Sequence, residues 1–238
     1  MIEFRNASCY YKVKQGYLAA VDEVSLTIPD GELLVIVGES GSGKTTLLRS
    51  VLGLCHDTSG DILVDQVPVG QIDMRDNLFA YVSQEYVLYP RMTIYENIAY
   101  PLRNSQAPHE EVDRRVREIA ERLGLSYLLG RLPRQLSGGQ HQRVAIARAL
   151  VKNPQYILMD EPFSNVGPDV REELRSMIKT IHREYAATIL FVTHDMQEAF
   201  SLADRIAVME EGKLVDVGTP MELRENAKSA LMRNYLNL

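Results

Sequence analysis

The first part of the chain alternates between apolar and polar positions in a way that is typical of β-strands. Val24, Leu26 and Ile28 are separated by single polar residues, and a Pro-Asp-Gly turn follows at positions 29–31. Residues 33–37 are apolar throughout, which is typical of a strand that is buried on both faces. We therefore predict a β-rich segment over residues 2–37 that ends in a buried strand.

A helix is predicted after this strand, beyond a short stretch that is rich in glycine. Its apolar face would consist of Leu47, Leu48, Val51 and Leu52, and it would run to about Gly53. Short strands are predicted again within residues 58–83, around 62–64 and 79–82.

From about residue 93 to residue 151 the apolar period becomes helical. Pro108 suits the first position of a helix, and Glu110 and Glu111 lie where the helix dipole favours negative charge. The buried face of that helix would carry Val112, Val116, Ile119, Ala120 and Leu123. Gly124 would end it. This block is interpreted as a helical subdomain inserted into an α/β core.

Strands and helices alternate in the last part of the chain. We predict strands at 155–159, 188–193, near 205–209 and near 213–217, a helix near 168–185, and a helical tail at 220–238. This alternation favours a mainly parallel sheet. The predicted fold class is α/β in one domain over residues 1–238, with the core and a β subdomain at about 1–84 and 152–238. The helical subdomain would occupy about 85–151.

Composition and charge restrict the classes of function. The chain has 238 residues, is 45% hydrophobic and carries a formal net charge of −6, which argues against an extended nucleic-acid surface. Cys9 and Cys55 have no metal-like spacing and suit a reducing compartment. No signal peptide is expected at the start, and no apolar run approaches the ~18–20 residues that a membrane span needs.

The glycine-rich stretch between the predicted strand and helix fits the phosphate-loop pattern G-x-x-x-x-G-K-[ST]. Its backbone N–H groups could turn around phosphate oxygens, with Lys44 reaching the β- and γ-phosphates and the Thr45 hydroxyl binding Mg²⁺. The residues expected to hold ATP here are Gly38, Ser40, Gly41, Ser42, Gly43, Lys44, Thr45 and Thr46.

Two neighbouring carboxylates end the apolar strand predicted at 155–159. Asp160 and Glu161 precede Pro162, so they stand where a buried strand reaches the surface. Two carboxylates in different environments can divide the chemistry of hydrolysis. We expect Asp160 to help hold Mg²⁺ from its outer shell, and Glu161 to polarise the attacking water as a catalytic base.

A second glycine-rich segment, Leu136-Ser137-Gly138-Gly139-Gln140, lies between these two motifs. With all three in this order, nearly the whole chain resembles the nucleotide-binding subunit of ATP-binding cassette (ABC) transporters. The resemblance implies that Ser137, Gly138, Gly139 and Gln140 close over ATP bound to a second ATPase subunit. Hydrolysis would then require a head-to-tail dimer that sandwiches two ATP molecules. A homodimer is preferred here over a heterodimer.

The resemblance also implies roles for three further residues. His194, within Phe191-Val192-Thr193-His194-Asp195, matches the switch histidine that contacts the γ-phosphate and helps to fix the water. Gln84 matches the glutamine whose amide touches Mg²⁺ or the water, with a catalytic role. Tyr11 matches the aromatic residue that stacks on adenine, and the adjacent Tyr10 is the alternative.

The chain departs from the family after Pro162-Phe163-Ser164. It reads Asn165-Val166-Gly167, so that Gly167 stands where related importers carry an aspartate that links the two active sites. Asp169 lies two positions later, which is the wrong spacing to replace it. Two readings stay open: tolerated drift, or altered coupling between the two sites, including pairing with a different ATPase subunit.

Residues 84–98 and 191–206 look like the ATPases of importers for sugars, polyamines or osmoprotectants. The resemblance implies a separate transmembrane permease as partner and a peripheral place on the cytoplasmic face of the membrane. Those importers usually carry an additional C-terminal β domain, which we do not expect here. The alternatives are an exporter or lipoprotein-release ATPase, or an ABC ATPase of DNA repair or translation.

One surface is predicted for the permease. The tyrosine-rich segment 86–100 would form part of a groove for a short helix of the membrane subunit, because tyrosine offers a large contact area with a polar tip. The alternative is packing of these tyrosines within the helical subdomain.

Overall fold

The computed structural model describes residues 1–14, 16–73, 78–103, 107–164 and 166–236, apart from the side chain of Asp169. The strands are β1 (Ile2–Val13), β2 (Gly16–Ile28), β3 (Leu33–Val37), β4 (Asp57–Val64), β5 (Val67–Pro68), β6 (Phe79–Val82), β7 (Tyr156–Asp160), β8 (Thr188–Thr193), β9 (Arg205–Glu210) and β10 (Lys213–Gly218). The helices are α1 (Lys44–Ser50), α2 (Ile94–Arg103), α3 (His109–Arg122), α4 (Gly138–Leu150), α5 (Pro168–Tyr185), α6 (Met196–Leu202), α7 (Pro220–Asn226) and α8 (Ala230–Leu236).

The strands form two sheets. The smaller sheet has the order β2-β1-β4-β5 and is antiparallel. The larger has the order β10-β9-β3-β8-β7-β6, and every neighbouring pair in it is parallel except β10 with β9. The predicted α/β class, with an N-terminal antiparallel part and a mainly parallel core, is confirmed.

The larger sheet is covered on both faces, which explains why its central strands are apolar at every position. Along β3, Val35 packs into a core shared with the helices, whereas Leu34 and Ile36 face a second core that contains the smaller sheet and α1. All five residues of β3 and of β7 are buried. Successive side chains of a strand point to opposite faces, so both faces must be apolar.

The helical block lies where its period predicted it. The buried face of α3 includes Val112, Val116, Ile119 and Ala120. The prediction that Pro108 is the first helical residue is wrong by one position, because Pro108 is the N-cap and the helix begins at His109. Gly124 follows the helix with a left-handed φ of +66°, which a glycine adopts without strain.

The carboxyl ends of the parallel strands position the residues that the sequence predicts for the site. Because β3, β6, β7 and β8 run in the same direction, the segments that follow them leave the sheet at one edge. Ligands of open α/β sheets bind at this edge.

Among the helices of the described residues, none combines the length and apolar character needed to cross a bilayer.

Candidate functional site

The loop from Gly38 to Gly43 connects β3 to α1 and depends on its glycines for two reasons. Gly43 has a φ of +101°, and a Cβ added there would lie 2.1 Å from the carbonyl oxygen of Ala20. A Cβ on Gly38 would lie 2.3 Å from the carbonyl oxygen of Met209. Only glycine allows the loop to wrap this closely against the neighbouring backbone.

The Lys44 side chain lies inside this loop and is 4% exposed. Its ammonium donates hydrogen bonds to the carbonyls of Gly38 (2.9 Å) and Glu39 (2.8 Å). Burial lowers the pKa of Lys44, and the negative charges of Glu161 and Asp160 oppose that effect. The structure therefore brings the predicted phosphate-binding lysine within electrostatic reach of both predicted carboxylates.

Asp160 is buried at the end of β7 and is held by three side chains. Thr45 donates a hydrogen bond of 2.7 Å to Oδ1, and Tyr81 donates one of 3.0 Å to Oδ2. An Arg49 nitrogen lies 3.8 Å from Oδ2. The Asp160 carboxylate and the Thr45 hydroxyl thus place oxygen atoms side by side, and oxygen atoms are the ligands that Mg²⁺ prefers.

Sequence reasoning missed Tyr81 and Arg49. Tyr81 lies within a four-residue strand that is otherwise apolar. Only the parallel pairing of β6 with β7 brings its hydroxyl to Asp160. Arg49 is the basic residue in the last turn of α1. Its pKa is raised chiefly by a hydrogen bond to the Tyr81 hydroxyl, with smaller contributions from Asp160 and Tyr11.

Glu161 and His194 face each other across the ends of β7 and β8. Glu161 Oε2 lies 3.1 Å from His194 Nδ1, and the Glu161 N–H donates to the carbonyl of Val192 at 2.9 Å. Glu161 adopts a left-handed φ of +45°, which is uncommon for a residue other than glycine and is typical of functional sites. The His194 side chain is more exposed than that of Glu161.

Gln84 and Tyr11 flank the same region. Gln84 is exposed and lies two residues beyond the end of β6, the strand that pairs with β7. Tyr11 is 44% exposed on β1, where it pairs with Leu18 of β2. Tyr10 is half-buried, and its hydroxyl lies 3.5 Å from that of Ser59, so Tyr11 is the more exposed of the two candidates.

The segment 137–140 belongs to the helical block. Ser137 is the N-cap of α4 and forms a reciprocal capping pair with Gln140. The Ser137 hydroxyl accepts from the Gln140 backbone N–H at 3.4 Å, and the side-chain Oε1 of Gln140 accepts from the Ser137 backbone N–H at 3.0 Å. The Gln140 amide also donates to the Tyr127 hydroxyl at 3.3 Å. Ser137 and Gly138 are exposed, and a Cβ on Gly139 would lie 2.6 Å from Val170.

The segment that departs from the family pattern is described in part. Asn165 and the side chain of Asp169 lie outside the described residues. Gly167 is the N-cap of α5 and has an ordinary extended conformation, with a φ of −69°. A Cβ added at Gly167 would meet no atom within 4 Å among the described residues. An aspartate would therefore fit at this position without backbone strain.

The sequence of this chain is similar to known transport proteins. The family model for ABC transporters matches residues 21–164. The trehalose/maltose import ATP-binding protein MalK of Thermococcus litoralis is 44% identical over 227 residues, which cover 93% of this chain and 61% of that protein. The sn-glycerol-3-phosphate import ATP-binding protein UgpC of Rhizobium meliloti is 44% identical over 226 residues, covering 95% and 65%. The chain thus spans about three-fifths of the length of these relatives.

A solved structure is similar as well. The dimeric post-hydrolysis state of the ATP-binding cassette MJ0796, bound to ADP and Pi, superposes with a TM-score of 0.83 at 32% identity. The match covers 92% of this chain and 99% of that one.

Proposed function

This chain belongs to the ABC transporter family, as its three motifs predicted, and we propose that it binds and hydrolyses ATP to power an importer. The observation that carries this proposal is the contact between Glu161 and His194, 3.1 Å apart, beside the 2.7 Å bond between Thr45 and Asp160. Four side chains of the expected chemistry thus meet where a nucleotide phosphate would reach the edge of the sheet.

In this proposal, residues 38–46 bind the phosphates of ATP. Backbone N–H groups of the loop donate to phosphate oxygens, and Lys44 turns from the carbonyls of Gly38 and Glu39 toward the β- and γ-phosphates. Tyr11 stacks on the base from its exposed position on β1. Thr45, Gln84 and Asp160 hold Mg²⁺, and their oxygen donors fit it because Mg²⁺ uses few protein ligands together with phosphate and water. The ion, when bound, neutralises charge that develops on the phosphates.

Hydrolysis requires a base close to the γ-phosphate. Glu161 accepts the proton of the attacking water, and His194, beside the Glu161 carboxylate, contacts the γ-phosphate and helps to fix the water. Gln84 orients the water from the neighbouring strand end. Catalysis here consists mainly of positioning the water and the γ-phosphate and of stabilising charge, because phosphoryl transfer needs little covalent chemistry from the protein.

The active site is completed by a second copy of the chain. Ser137 and Gly138 are exposed at the N-terminus of α4, where backbone N–H groups favour an anion, and their hydrogen bonds stay within their own subdomain. A second copy that presents residues 137–140 to the bound γ-phosphate would explain this exposure. The dimeric assembly named for MJ0796 supports the arrangement, and we propose a homodimer.

The partner in transport is a separate permease, and the chain would act at the cytoplasmic face of the membrane. The names of the relatives favour import. Within the segment 86–100, Tyr86 is buried and its hydroxyl donates to the Pro162 carbonyl, so this residue packs internally. The rings of Tyr89 and Tyr100 are in contact in a tilted arrangement, with centroids 4.6 Å apart, and Arg148 lies over Tyr89. We propose this partly exposed aromatic pair as permease-facing surface.

The proposal is tested by the release of phosphate from Mg-ATP. We expect the specific activity of the purified chain to rise with its own concentration, because two copies must meet to form each site. Activity that is absent with Mg-ATP at every concentration, in a chain that is folded and binds ATP, would contradict the proposed function. A specific activity independent of concentration would contradict the shared site.

A further inference from the structure

The two catalytic loops are held together by more than their strands. β7 and β8 are paired up to Asp160 and Val192, and the last backbone bond between them is donated by Glu161. Beyond these strands the segments separate: α5 follows β7, and α6 follows β8. The distance between the Glu161 and His194 side chains therefore depends on contacts beyond the end of the sheet.

Arg171 makes such a contact from the first turns of α5. Its Nε donates a hydrogen bond of 3.1 Å to the carbonyl of Val166, in the segment that follows Glu161. Its Nη1 lies 3.5 Å from Oδ2 of Asp195, the residue directly after His194. A guanidinium has five donors in a rigid plane, so one side chain can hold both acceptors at once.

Asp195 is fixed on both sides of its carboxylate. Oδ1 caps α6 by accepting from the N–H groups of Gln197 (2.8 Å) and Glu198 (3.4 Å), while Oδ2 faces Arg171. The backbone N–H of Asp195 donates to the Thr193 hydroxyl at 3.0 Å. The residues on both sides of His194 are thus held, and a displacement of Asp195 would move the histidine.

The buried side of the same cluster carries a second carboxylate. Glu198 is 3% exposed and accepts a hydrogen bond of 2.6 Å from Thr193. Burial raises the pKa of Glu198, the hydrogen bond from Thr193 opposes that rise, and the charge of Arg171 opposes it to a smaller extent. Glu161, Arg171, His194 and Glu198 line one cavity of about 10 Å³. Arg171 therefore lines the same cavity as His194 and the carboxylates of Glu161 and Glu198.

The ion pair itself contributes little stability. The side chains of Arg171 and Asp195 are about one-third exposed, at 33% and 28%, and exposed pairs are worth little in water. What the contact supplies is a defined separation between the segment after Glu161 and the residue after His194.

We propose that Arg171 is a positioning residue for hydrolysis, which sets the geometry of the Glu161–His194 pair by joining the Val166 carbonyl to Asp195. The inference rests on the proposed ATPase function. Arg171 does not touch the nucleotide in this account, so it acts on turnover and leaves nucleotide binding intact.

The test compares Arg171→Met and Arg171→Lys with the unchanged protein. We expect Arg171→Met to lower kcat by about 10-fold to 100-fold, because small misplacements of catalytic groups have effects of this size. The KM for ATP should change by less than about twofold. Arg171→Lys should also lower kcat, since one ammonium cannot donate to both acceptors in the same geometry, and it keeps the charge if the methionine variant fails to fold.

A double-mutant cycle separates positioning from a structural role. In a His194→Ala background, the residual turnover should fall less than about twofold on adding Arg171→Met, because the histidine that Arg171 positions is gone. Arg122→Met is the matched control: Arg122 also pairs across elements, with Glu184 of α5 at 3.4 Å, but lies outside the catalytic cluster. It should leave kcat unchanged.

Three outcomes would overturn this inference while the unchanged protein hydrolyses ATP. These are full kcat in Arg171→Met, a loss confined to KM, and effects that multiply in the His194→Ala background. An unchanged protein that does not hydrolyse ATP would instead contradict the proposed function.

Discussion

The hydroxyl of Thr45 donates a 2.7 Å hydrogen bond to the carboxylate of Asp160, although 115 positions separate the two residues in sequence. The bond joins the first turn of α1 to the carboxyl end of β7. Both side chains end in oxygen atoms of the kind that Mg²⁺ binds. In the proposed site, the fold therefore already holds these two oxygen groups together, and cation binding would need little ordering of this part of the chain.

Removing the Lys44 ammonium should weaken nucleotide binding. In Lys44→Met the chain keeps a buried side chain of similar length but loses the charge that would face the β- and γ-phosphates. Hydrogen bonds to charged groups contribute about 1.5–3 kcal/mol, so we expect the Kd for ATP to rise at least about tenfold by calorimetry. Lys228→Met, at an exposed lysine in the C-terminal part, is the control. Equal ATP affinity in both variants would show that the loop is not the phosphate site.

Tyr81 tests a residue that only the structure revealed. Tyr81→Phe removes the hydroxyl that donates to Asp160 at 3.0 Å, so the carboxylate loses one of the groups that orient it. Partners behind a metal ligand typically change metal affinity by about 10-fold or more. We expect the Mg²⁺ concentration for half-maximal ATPase activity to rise about tenfold. Tyr17→Phe, on the exposed hairpin, should leave it unchanged, and an equal Mg²⁺ dependence in both variants would remove Tyr81 from the site.

A bulky cation in the segment 137–140 should separate binding from hydrolysis. Ser137→Arg puts a long side chain on an exposed surface that we assign to the second copy, so ATP should bind normally while dimer closure and turnover are lost. Thr180→Arg places the same side chain on an exposed position of α5 and should hydrolyse ATP at the normal rate. Wild-type turnover in Ser137→Arg would contradict the shared site.

Gly167 decides between the two readings of the altered loop. Its φ of −69° and open surroundings mean that Gly167→Asp introduces no strain, and an aspartate N-cap stabilises a helix by a few tenths of a kcal/mol relative to glycine. We expect an unchanged or slightly raised Tm. If the missing carboxylate limits coupling, basal turnover should rise by up to about tenfold, the rate equivalent of ~1.4 kcal/mol. Gly70→Asp, at another unstrained glycine with open space, controls for added charge. An unchanged rate in folded Gly167→Asp leaves tolerated drift as the explanation.

The sequence predicted the parts of this site that are local in the chain. The loop at 38–46 could be read directly, because strand, glycines, lysine and helix follow one another. Asp160 and Glu161 could be predicted from their place at the end of an apolar strand, whereas the role of His194 was implied by the family resemblance. Tyr81 and Arg171 could not, because neither stands in a recognisable spacing. Their partners, Asp160 and Asp195, come from other elements, and only the sheet order and the start of α5 bring them together.

The boundaries of the helices and strands also could not be predicted fully from the sequence. The face of α3 follows from its period, but its start is displaced by one residue, because Pro108 serves as well outside the helix as in its first position. The conformation of Gly167 could not be inferred either, since glycine is compatible with both signs of φ.

The central claim is that Glu161 is the base of an ATPase whose sites lie between two copies. The most direct measurement is the oligomeric state and turnover of Glu161→Gln in Mg-ATP, by light scattering and phosphate release, with Glu85→Gln as the control at an exposed carboxylate outside the catalytic pair. The account predicts a stable ATP-bound dimer, near-normal ATP affinity and turnover that is lower by about 10²-fold or more. A monomeric Glu161→Gln chain that hydrolyses ATP at the wild-type rate would contradict it.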